Sequence, residues 1–205
     1  MTASATDAPL ARRPSTREHD LTMTEPALEP TPTLDSLPRR FSDFATLGEA
    51  LDYAAKGARG LNFHDPRGNL ARPYPYAELR ADALAAAYRL IAAGIKPGDR
   101  IALIAETSPE FAALFFGAIY AGAWPVPLPL PTSFGGRDNY VAQIGVQLDS
   151  CDPAILFYPP EIAGMAGDAA VAKGVTGIDW ASFATRAAPV AELPQQRSDE
   201  TCYLQ

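Results

Sequence analysis

The sequence predicts an α/β fold, with a mostly parallel sheet and helices on both of its faces. Segments with the 3.6-residue periodicity of amphipathic helices alternate along the chain with short apolar runs of strand length. The four strand-like runs are residues 100–104, 124–128, 154–158 and 175–178. Strands that alternate with helices form βαβ units, whose crossover helices make the strands parallel and cover both faces of the sheet.

The composition of the 205-residue chain is typical of a globular protein, with 47% hydrophobic and 20% charged residues. A net charge of −7 argues against nucleic acid or an anionic membrane surface as a partner, because no basic patch is available to contact phosphates. Cys151 and Cys202 form no CxxC motif. We therefore expect two buried or half-buried, small apolar side chains in a reducing, cytoplasmic compartment.

Residues 1–40 hold six prolines and charges of both signs without apolar periodicity, which predicts a disordered tail. Met23 lies within this tail and is a plausible site for the start of translation. We therefore hypothesise that the native protein begins at Met23 and that residues 1–22 precede its true N-terminus. N-terminal sequencing of native protein tests it. From Phe41 the chain changes character, and we assign residues 41–205 to the ordered domain.

The first ordered elements are a helix and a small hairpin. Leu47, Leu51 and Ala54 recur at helical spacing and predict a short helix that ends near Gly57. Residues 61–63 predict a short strand. Residues 65–69, Asp-Pro-Arg-Gly-Asn, have the composition of a turn, which predicts a hairpin with a second short strand.

Two longer helices have start and stop signals. The first covers residues 77–93 and lies between Pro75 and Gly94, which predict its start and its end. The second covers residues 109–121. For its N-terminus, Thr107 with Glu110 three residues later predicts a capping box, and Ser108 is the rival N-cap.

Residues 111–136 carry no charge and are long enough to span a bilayer. Prolines at 125, 127, 129 and 131 interrupt them, so that only residues 111–123 are free of helix-breaking residues. Those residues are too few to cross a membrane. We predict a buried helix that ends at Gly122, followed by a buried strand, and no membrane span.

The remaining elements are weaker. A helix at 138–150, with Val141, Ile144 and Leu148 on one face, precedes the strand at 154–158. A helix at 161–173 leads to the last strand, and a loop containing prolines follows. Residues 201–205 resemble the start of another strand, so we expect the ordered domain to continue past Gln205.

Catalytic motifs are scarce. The sequence contains no GxGxxG, GxxxxGK[ST] or GxSxG motif, and its two histidines have no Cys or carboxylate partner at metal-ligand spacing. Gly135 and Gly136 precede a helix, where bare N–H groups can bind an anion, although a flexible joint is the simpler interpretation. Glu106 follows a strand at the edge where open α/β sheets bind ligands, but helix capping or solvation explains it equally well.

Three segments in order resemble the adenylate-forming enzymes, the superfamily of acyl-CoA synthetases and AMP ligases. Residues 74–79, YPYAEL, are similar to its TYxEL helix start, with Pro75 where the family usually has Ser or Thr. Residues 94–103, GIKPGDRIAL, resemble its GDRVAL strand entry, and residues 111–127 resemble its helix and strand ending in PVP. The proline-rich loop at 126–136 and the helix after it resemble the fatty acyl-AMP ligase branch more than ordinary acyl-CoA synthetases.

The resemblance covers roughly residues 41–205 and implies an incomplete N-terminal subdomain of a fatty acyl-AMP ligase, cut before the family's phosphate loop. Such enzymes use ATP and Mg²⁺ to convert a fatty acid to an acyl-adenylate, and this branch typically passes the acyl group to the thiol of an acyl carrier protein. The phosphate loop, the ribose-binding Asp and the catalytic Lys would follow Gln205. We therefore expect these 205 residues alone to bind no cofactor or metal and to be inactive.

The implied partners are the remainder of the adenylation domain and its C-terminal domain. The candidate substrate contact is one apolar, flexible loop, in which Thr132, Ser133, Phe134 and Gly135 are expected to border the acyl channel. Two alternatives stay open. The parent protein is an ordinary acyl-CoA synthetase with CoA as the acceptor, or the chain is a non-catalytic α/β binding module.

Overall fold

A computed structural model describes residues 37–131 and 136–205, which lie in the compact unit formed by residues 34–205. The predicted tail therefore lies outside the described residues up to position 36. The elements are, in chain order, α1 (Leu47–Ala54), β1 (Gly60–His64), β2 (Leu70–Pro75), α2 (Tyr76–Ala92), β3 (Arg100–Ile104), α3 (Pro109–Tyr120), β4 (Trp124–Leu128), α4 (Gly136–Cys151), β5 (Ile155–Tyr158), a 3₁₀ turn (Pro160–Ile162), α5 (Ala163–Lys173), β6 (Thr176–Asp179) and α6 (Trp180–Ala184).

The main sheet has four parallel strands in the order β4-β3-β5-β6, which confirms the predicted α/β class. On β3, Ile101 lies between Pro125 of β4 and Ile155 of β5. A separate antiparallel pair, β1 and β2, forms the predicted hairpin, with Gly60 opposite Pro75.

Helices cover both faces of the sheet. Alternate residues of β3 show this, because Ile101 and Leu103 lie in a core with α2, α3 and α6, whereas Ala102 and Ile104 lie in a second core with α4 and α5. All four of these residues are fully buried. A strand buried on both faces needs apolar residues at every position, which explains the continuous run in the sequence.

Helix α1 is attached to the larger helices by one carboxylate. The Tyr120 hydroxyl of α3 donates to Asp52 Oδ1 at 2.8 Å, and Arg80 Nε of α2 donates to the same oxygen at 2.5 Å. Burial and the Asp52 carboxylate raise the pKa of Tyr120, so its hydroxyl stays protonated and donates at neutral pH. This network fixes α1 against the first core.

The N-cap of α3 differs from the capping box predicted at Thr107. Ser108 is the N-cap, and its Oγ accepts from the N–H of Phe111 at 3.2 Å. Pro109 then occupies the first helical position, where its missing N–H costs no helical hydrogen bond. The rival prediction, Ser108, is therefore correct.

Helix α6 is absent from the sequence-based expectation, which placed only a loop after the last strand. Asp179 caps it by accepting from the N–H of Ser182 at 2.8 Å, and Trp180 and Phe183 are buried. A five-residue helix offers only these two apolar contacts. Two apolar residues are too few to show the 3.6-residue periodicity from which a helix is predicted.

Residues 201–205 do not form the strand predicted for them. They make one backbone hydrogen bond to the sheet, from the Leu204 N–H to the Pro125 carbonyl oxygen at 3.1 Å. Proline has no N–H, so β4 offers no donor at Pro125 or Pro127 with which to complete a ladder.

Neither cysteine of the chain is in a disulfide. Cys151 and Cys202 are both half-buried, as expected, and burial raises the pKa of the Cys151 thiol. None of the helices within the described ranges combines the length and the apolar character needed to cross a membrane.

Candidate functional site

The carboxyl ends of the four parallel strands meet at one edge of the sheet, which we call the carboxyl edge. Open α/β sheets bind ligands at this edge, at the switch point where the strand order reverses. At a switch point, the chain stops adding strands on one side of a central strand and starts adding them on its other side. Here β4 lies on one side of β3 and β5 on the other, so this switch point falls at the end of β3. Glu106 lies two residues beyond Ile104 and thus at that point.

Glu106 is a half-buried carboxylate in a tight turn. Its N–H donates to the Ile104 carbonyl oxygen, and its own carbonyl oxygen accepts from the Ser108 N–H, both at 2.9 Å. Because Ser108 caps α3, the helix-capping interpretation of Glu106 is wrong. Burial raises the pKa of Glu106, and the negative charges of Glu161 and Glu110 raise it further.

The described part of the carboxyl edge does not fit ATP or Mg²⁺. Glu106, Glu110 and Glu161 place negative charge there, which repels a triphosphate. No three or more His, Cys, Asp or Glu side chains among residues 37–131 and 136–205 are arranged to hold a metal ion. The acidic carboxyl edge therefore disfavours the phosphates of ATP.

The predicted substrate loop lies between β4 and α4 in the chain. Thr132, Ser133, Phe134 and Gly135 lie outside the described residues, so their contacts stay a prediction. Leu130, just before them, is 37% exposed.

Both flanks of this loop are anchored. The Tyr140 hydroxyl of α4 donates to the Pro129 carbonyl oxygen at 3.1 Å, and burial raises the pKa of Tyr140 to about 12, so the hydroxyl remains a donor at neutral pH. After the loop, Arg137 pairs with Asp168 and donates to the Gly164 carbonyl oxygen.

Tyr140 is an anchor that the sequence analysis did not identify. It is 3% exposed and precedes Ile144 by four residues on α4, so it continues the buried face formed by Ile144 and Leu148. That spacing is the signal that identifies it. Gly136 opens α4 with φ of +66°, a left-handed conformation that glycine adopts readily, in keeping with a joint at this position.

A cavity of about 810 Å³ lies at the opposite, amino edge of the sheet. Pro97, Gly98 and Trp124 line it together with α1 and the segment 194–202. The Gln196 side-chain oxygen is buried without a hydrogen-bond partner among the described residues, and its amide lies directly on Gly48. The residues that line this cavity do not include Glu106, Glu110 or Glu161 of the carboxyl edge.

We expect Glu106→Gln to increase the free energy of unfolding at pH 7 by about 0.2–1 kcal/mol, the range of exposed charge pairs. The folded state raises the pKa of Glu106, so the ionised carboxylate destabilises the fold once the pH exceeds that pKa. The gain should shrink as the pH falls through the ordinary Glu range, where the carboxyl is protonated in both states. Urea unfolding at pH 7 and pH 4 measures this.

Glu192→Gln is the matched control, because Glu192 is exposed in the C-terminal loop. It should change stability by less than about 0.5 kcal/mol at either pH. A destabilised Glu106→Gln variant at pH 7 would show that the Glu106 carboxylate is favourably bound in the fold.

Comparison with known proteins identifies the family. The family described as "AMP-binding enzyme" matches residues 63–204, which is more than half of the chain. The chain belongs to this family. Its members use ATP with Mg²⁺, as the sequence resemblance implied.

Curated relatives agree with this assignment. A Caulobacter vibrioides protein named "Putative acyl-CoA synthetase" is 39% identical over 180 residues, which cover 85% of this chain and 30% of that protein. The long-chain-fatty-acid–AMP ligase FadD32 of Mycolicibacterium smegmatis is 33% identical over 105 residues, or 51% of this chain and 16% of that protein. The chain thus spans about 30% or less of the length of these relatives.

A solved structure from studies of fatty acyl-adenylate ligases from E. coli and L. pneumophila has a TM-score of 0.78 and 38% identity, covering 82% of this chain and 30% of that chain. A fatty acyl-adenylate ligase from L. pneumophila in complex with acyl adenylate and pyrophosphate is 20% identical with a TM-score of 0.68, which supports the fold alone. These likenesses confirm the resemblance to the N-terminal portion of the adenylate-forming enzymes.

Proposed function

We propose that this chain is the N-terminal part of the adenylation domain of a fatty acyl-AMP ligase. The longer protein would use ATP to activate a fatty acid as acyl-adenylate and would pass the acyl group to the thiol of an acyl carrier protein. The observation that carries the proposal is the 38% identity, at a TM-score of 0.78, to a structure from studies of fatty acyl-adenylate ligases. Identity to a long-chain-fatty-acid–AMP ligase supports the same branch.

Within that enzyme, the described residues would act as a scaffold rather than as the reaction centre. The acidic carboxyl edge and the lack of a phosphate-binding motif in the sequence support this role. We therefore propose that phosphate and metal contacts come from residues outside these 205, and that the chain alone is inactive.

The loop of Thr132, Ser133, Phe134 and Gly135 is proposed to border the acyl channel. Support comes from its flanks, because Tyr140 and Arg137 anchor the two ends beside the carboxyl edge. A loop with fixed ends can present its tip to a substrate in one place. A Phe134→Ala change in the longer protein should then alter the preferred chain length of the fatty acid rather than abolish turnover.

The longer protein is expected to catalyse fatty acid-dependent exchange of pyrophosphate into ATP. It should then form a thioester with a phosphopantetheinylated carrier protein and not with free CoA. The 205-residue chain is expected to give exchange at background level. Exchange by the longer protein that does not depend on fatty acid would contradict the substrate assignment.

An ordinary acyl-CoA synthetase is the second candidate. It is favoured by 47% identity over 53 residues to the long-chain-fatty-acid–CoA ligase FadD13 of Mycobacterium tuberculosis. The same assay separates the two, because this candidate predicts a thioester with free CoA. A longer protein without any exchange activity would instead favour a non-catalytic binding module.

A further inference from the structure

The cavity at the amino edge of the sheet has an apolar wall. Helix α1 contributes Leu47 and Ala50 to it. The end of α3 contributes Ile119, and Ala123 follows just before β4. The volume of about 810 Å³ is within the range of sites that hold small molecules. This wall suits the apolar part of a ligand, because binding removes apolar surface of both partners from water.

Residues 194–202 contribute a polar wall to the same cavity. Its amide and hydroxyl groups belong to Gln195, Gln196, Ser198 and Thr201. Amides and hydroxyls both donate and accept hydrogen bonds, so they can bind the hydroxyl groups of a ligand without requiring a charge on it. The lining therefore combines apolar side chains from the helices with neutral hydrogen-bonding side chains from this segment.

The charged side chains that line the cavity, among the described residues, are already paired. Arg40 Nε donates to Asp43 Oδ1 at 2.8 Å. Arg197 donates to Asp199 Oδ2 at 2.7 Å, and its Nε lies 3.7 Å from Glu200 Oε1. A charged ligand would find no free counter-charge here, and burying an unpaired charge is costly. The lining therefore favours an uncharged ligand.

The Gln196 amide is a point of the polar wall at which a hydrogen-bond donor is missing. A Cβ on Gly48 of α1 would lie 2.5 Å from Gln196 Oε1, so the amide packs against α1. This oxygen is buried and accepts no hydrogen bond from the described residues. Buried polar atoms nearly always have a hydrogen-bond partner. A ligand hydroxyl in the cavity can supply the donor after a small rotation of the Gln196 side chain.

We propose that the amino-edge cavity is a binding site for an uncharged amphiphile, a molecule with an apolar chain and a hydroxyl-bearing head. The chain packs against α1 and the end of α3, and the head binds the amide and hydroxyl groups of residues 194–202. The inference goes beyond the proposed function and does not rest on it, because a fatty acid carries a carboxylate whereas this ligand carries no charge.

The two cysteines of the chain make the binding measurable. Cys202 lines the cavity and Cys151 does not, while both are half-buried thiols. The probe is octyl glucoside below its critical micelle concentration. The matched probe is octyl glucuronide, in which a carboxylate replaces the hydroxymethyl group of the sugar. Alkylation of both thiols by iodoacetamide, an uncharged reagent, is followed with Cys151 as the internal reference.

Octyl glucoside should slow the alkylation of Cys202 about fivefold or more, and octyl glucuronide at the same concentration less than about twofold. Octylammonium controls for general repulsion of the glucuronide, because the chain has a net charge of −7 and attracts cations. It should protect Cys202 no better than the glucuronide does. Equal protection by the three probes, or protection by none of them, would overturn the inference.

Ala50→Phe tests where the probe binds, because it adds a ring to a residue of the apolar wall. Ala142→Phe is the matched control, at an exposed position of α4 outside the lining. The ratio of Cys202 alkylation rates without and with octyl glucoside should fall to about one in Ala50→Phe and stay unchanged in Ala142→Phe. Equal ratios in the two variants would contradict the inference.

Gln196→Met tests the binding of the head, because it keeps the length of the side chain and removes the amide. We expect the affinity for octyl glucoside to fall several-fold. Gln143→Met, at an exposed position of α4, is the control and should leave the affinity unchanged. An unchanged affinity in Gln196→Met would overturn the assignment of the head to the polar wall.

The same labelling of the longer protein completes the test. Reactivity of Cys202 that octyl glucoside suppresses would support the inference. A Cys202 thiol that is unreactive there without any probe would show that the rest of the protein fills the cavity, and would overturn it. These measurements need neither ATP nor fatty acid, so their failure is distinct from failure of the proposed function, which would appear as the absence of fatty acid-dependent exchange.

Discussion

Phe157→Ala is expected to lower the free energy of unfolding by about 3–5 kcal/mol, the cost of deleting a buried aromatic side chain. Phe157 is 0% exposed and lies on β5, between Leu103 of β3 and Ile178 of β6. Its ring meets that of Phe183 edge to face at a centroid distance of 4.7 Å. The truncation therefore leaves a cavity where the centre of the sheet meets α6.

Urea denaturation followed by circular dichroism measures this loss. Val171→Ala on α5 is the matched control, because Val171 is 81% exposed and the change also shortens an apolar side chain. It should change stability by no more than about 0.5 kcal/mol. A Phe157→Ala loss below about 1.5 kcal/mol would show that β5 and α6 are not packed as described.

The sequence predicts an element of the fold correctly where burial alone determines which residues the element contains. β3 is apolar at Ile101, Ala102, Leu103 and Ile104 because a core lies on each side of it, and the whole run is visible without the structure. The sequence did not predict helix α6, because its two buried residues are too few to show the 3.6-residue periodicity of an amphipathic helix. Residues 201–205 were assigned to a strand from composition, whereas pairing depends on the donors of β4, which lie about 80 residues earlier in the chain.

The candidate site was less predictable than the fold. Glu106 could be placed at the carboxyl edge from its position after a strand, but its neighbours Glu110 and Glu161 come together only in space. The sequence alone therefore could not reveal that this edge is acidic. The family motifs lie in α2, β3, α3 and β4, so they identify the family through its fold.

The prolines in β4 and directly after it bear on both the sequence-based predictions and the hydrogen bonding of the structure. In the sequence, prolines at 125, 127, 129 and 131 excluded a membrane span and indicated a branch of the superfamily. In the structure, Pro125 and Pro127 leave β4 without N–H donors at these two positions, and the Pro129 carbonyl oxygen accepts a hydrogen bond from the Tyr140 hydroxyl.

Gly117→Ala is expected to destabilise the fold by about 1–2 kcal/mol, within the range for an overpacked core. Helices α2 and α3 are in close contact here, and a Cβ on Gly117 would lie 2.6 Å from the Cβ of Ala86 and 3.0 Å from the carbonyl oxygen of Ala83. The Ala83 contact is with backbone, so rotation of a side chain cannot relieve it and the helices must separate. The gain in helix propensity, about 1 kcal/mol at most, offsets only part of this cost.

Gly164→Ala makes the same chemical change in α5, where a Cβ would meet nothing within 4 Å. Here only the helix propensity and the reduced freedom of the unfolded chain remain, so stability should rise by about 0.4–1 kcal/mol. Chemical denaturation of the two variants should therefore give shifts of opposite sign. If Gly117→Ala also stabilised the protein, α2 and α3 would have to be farther apart than described, and the first core would be less tightly packed.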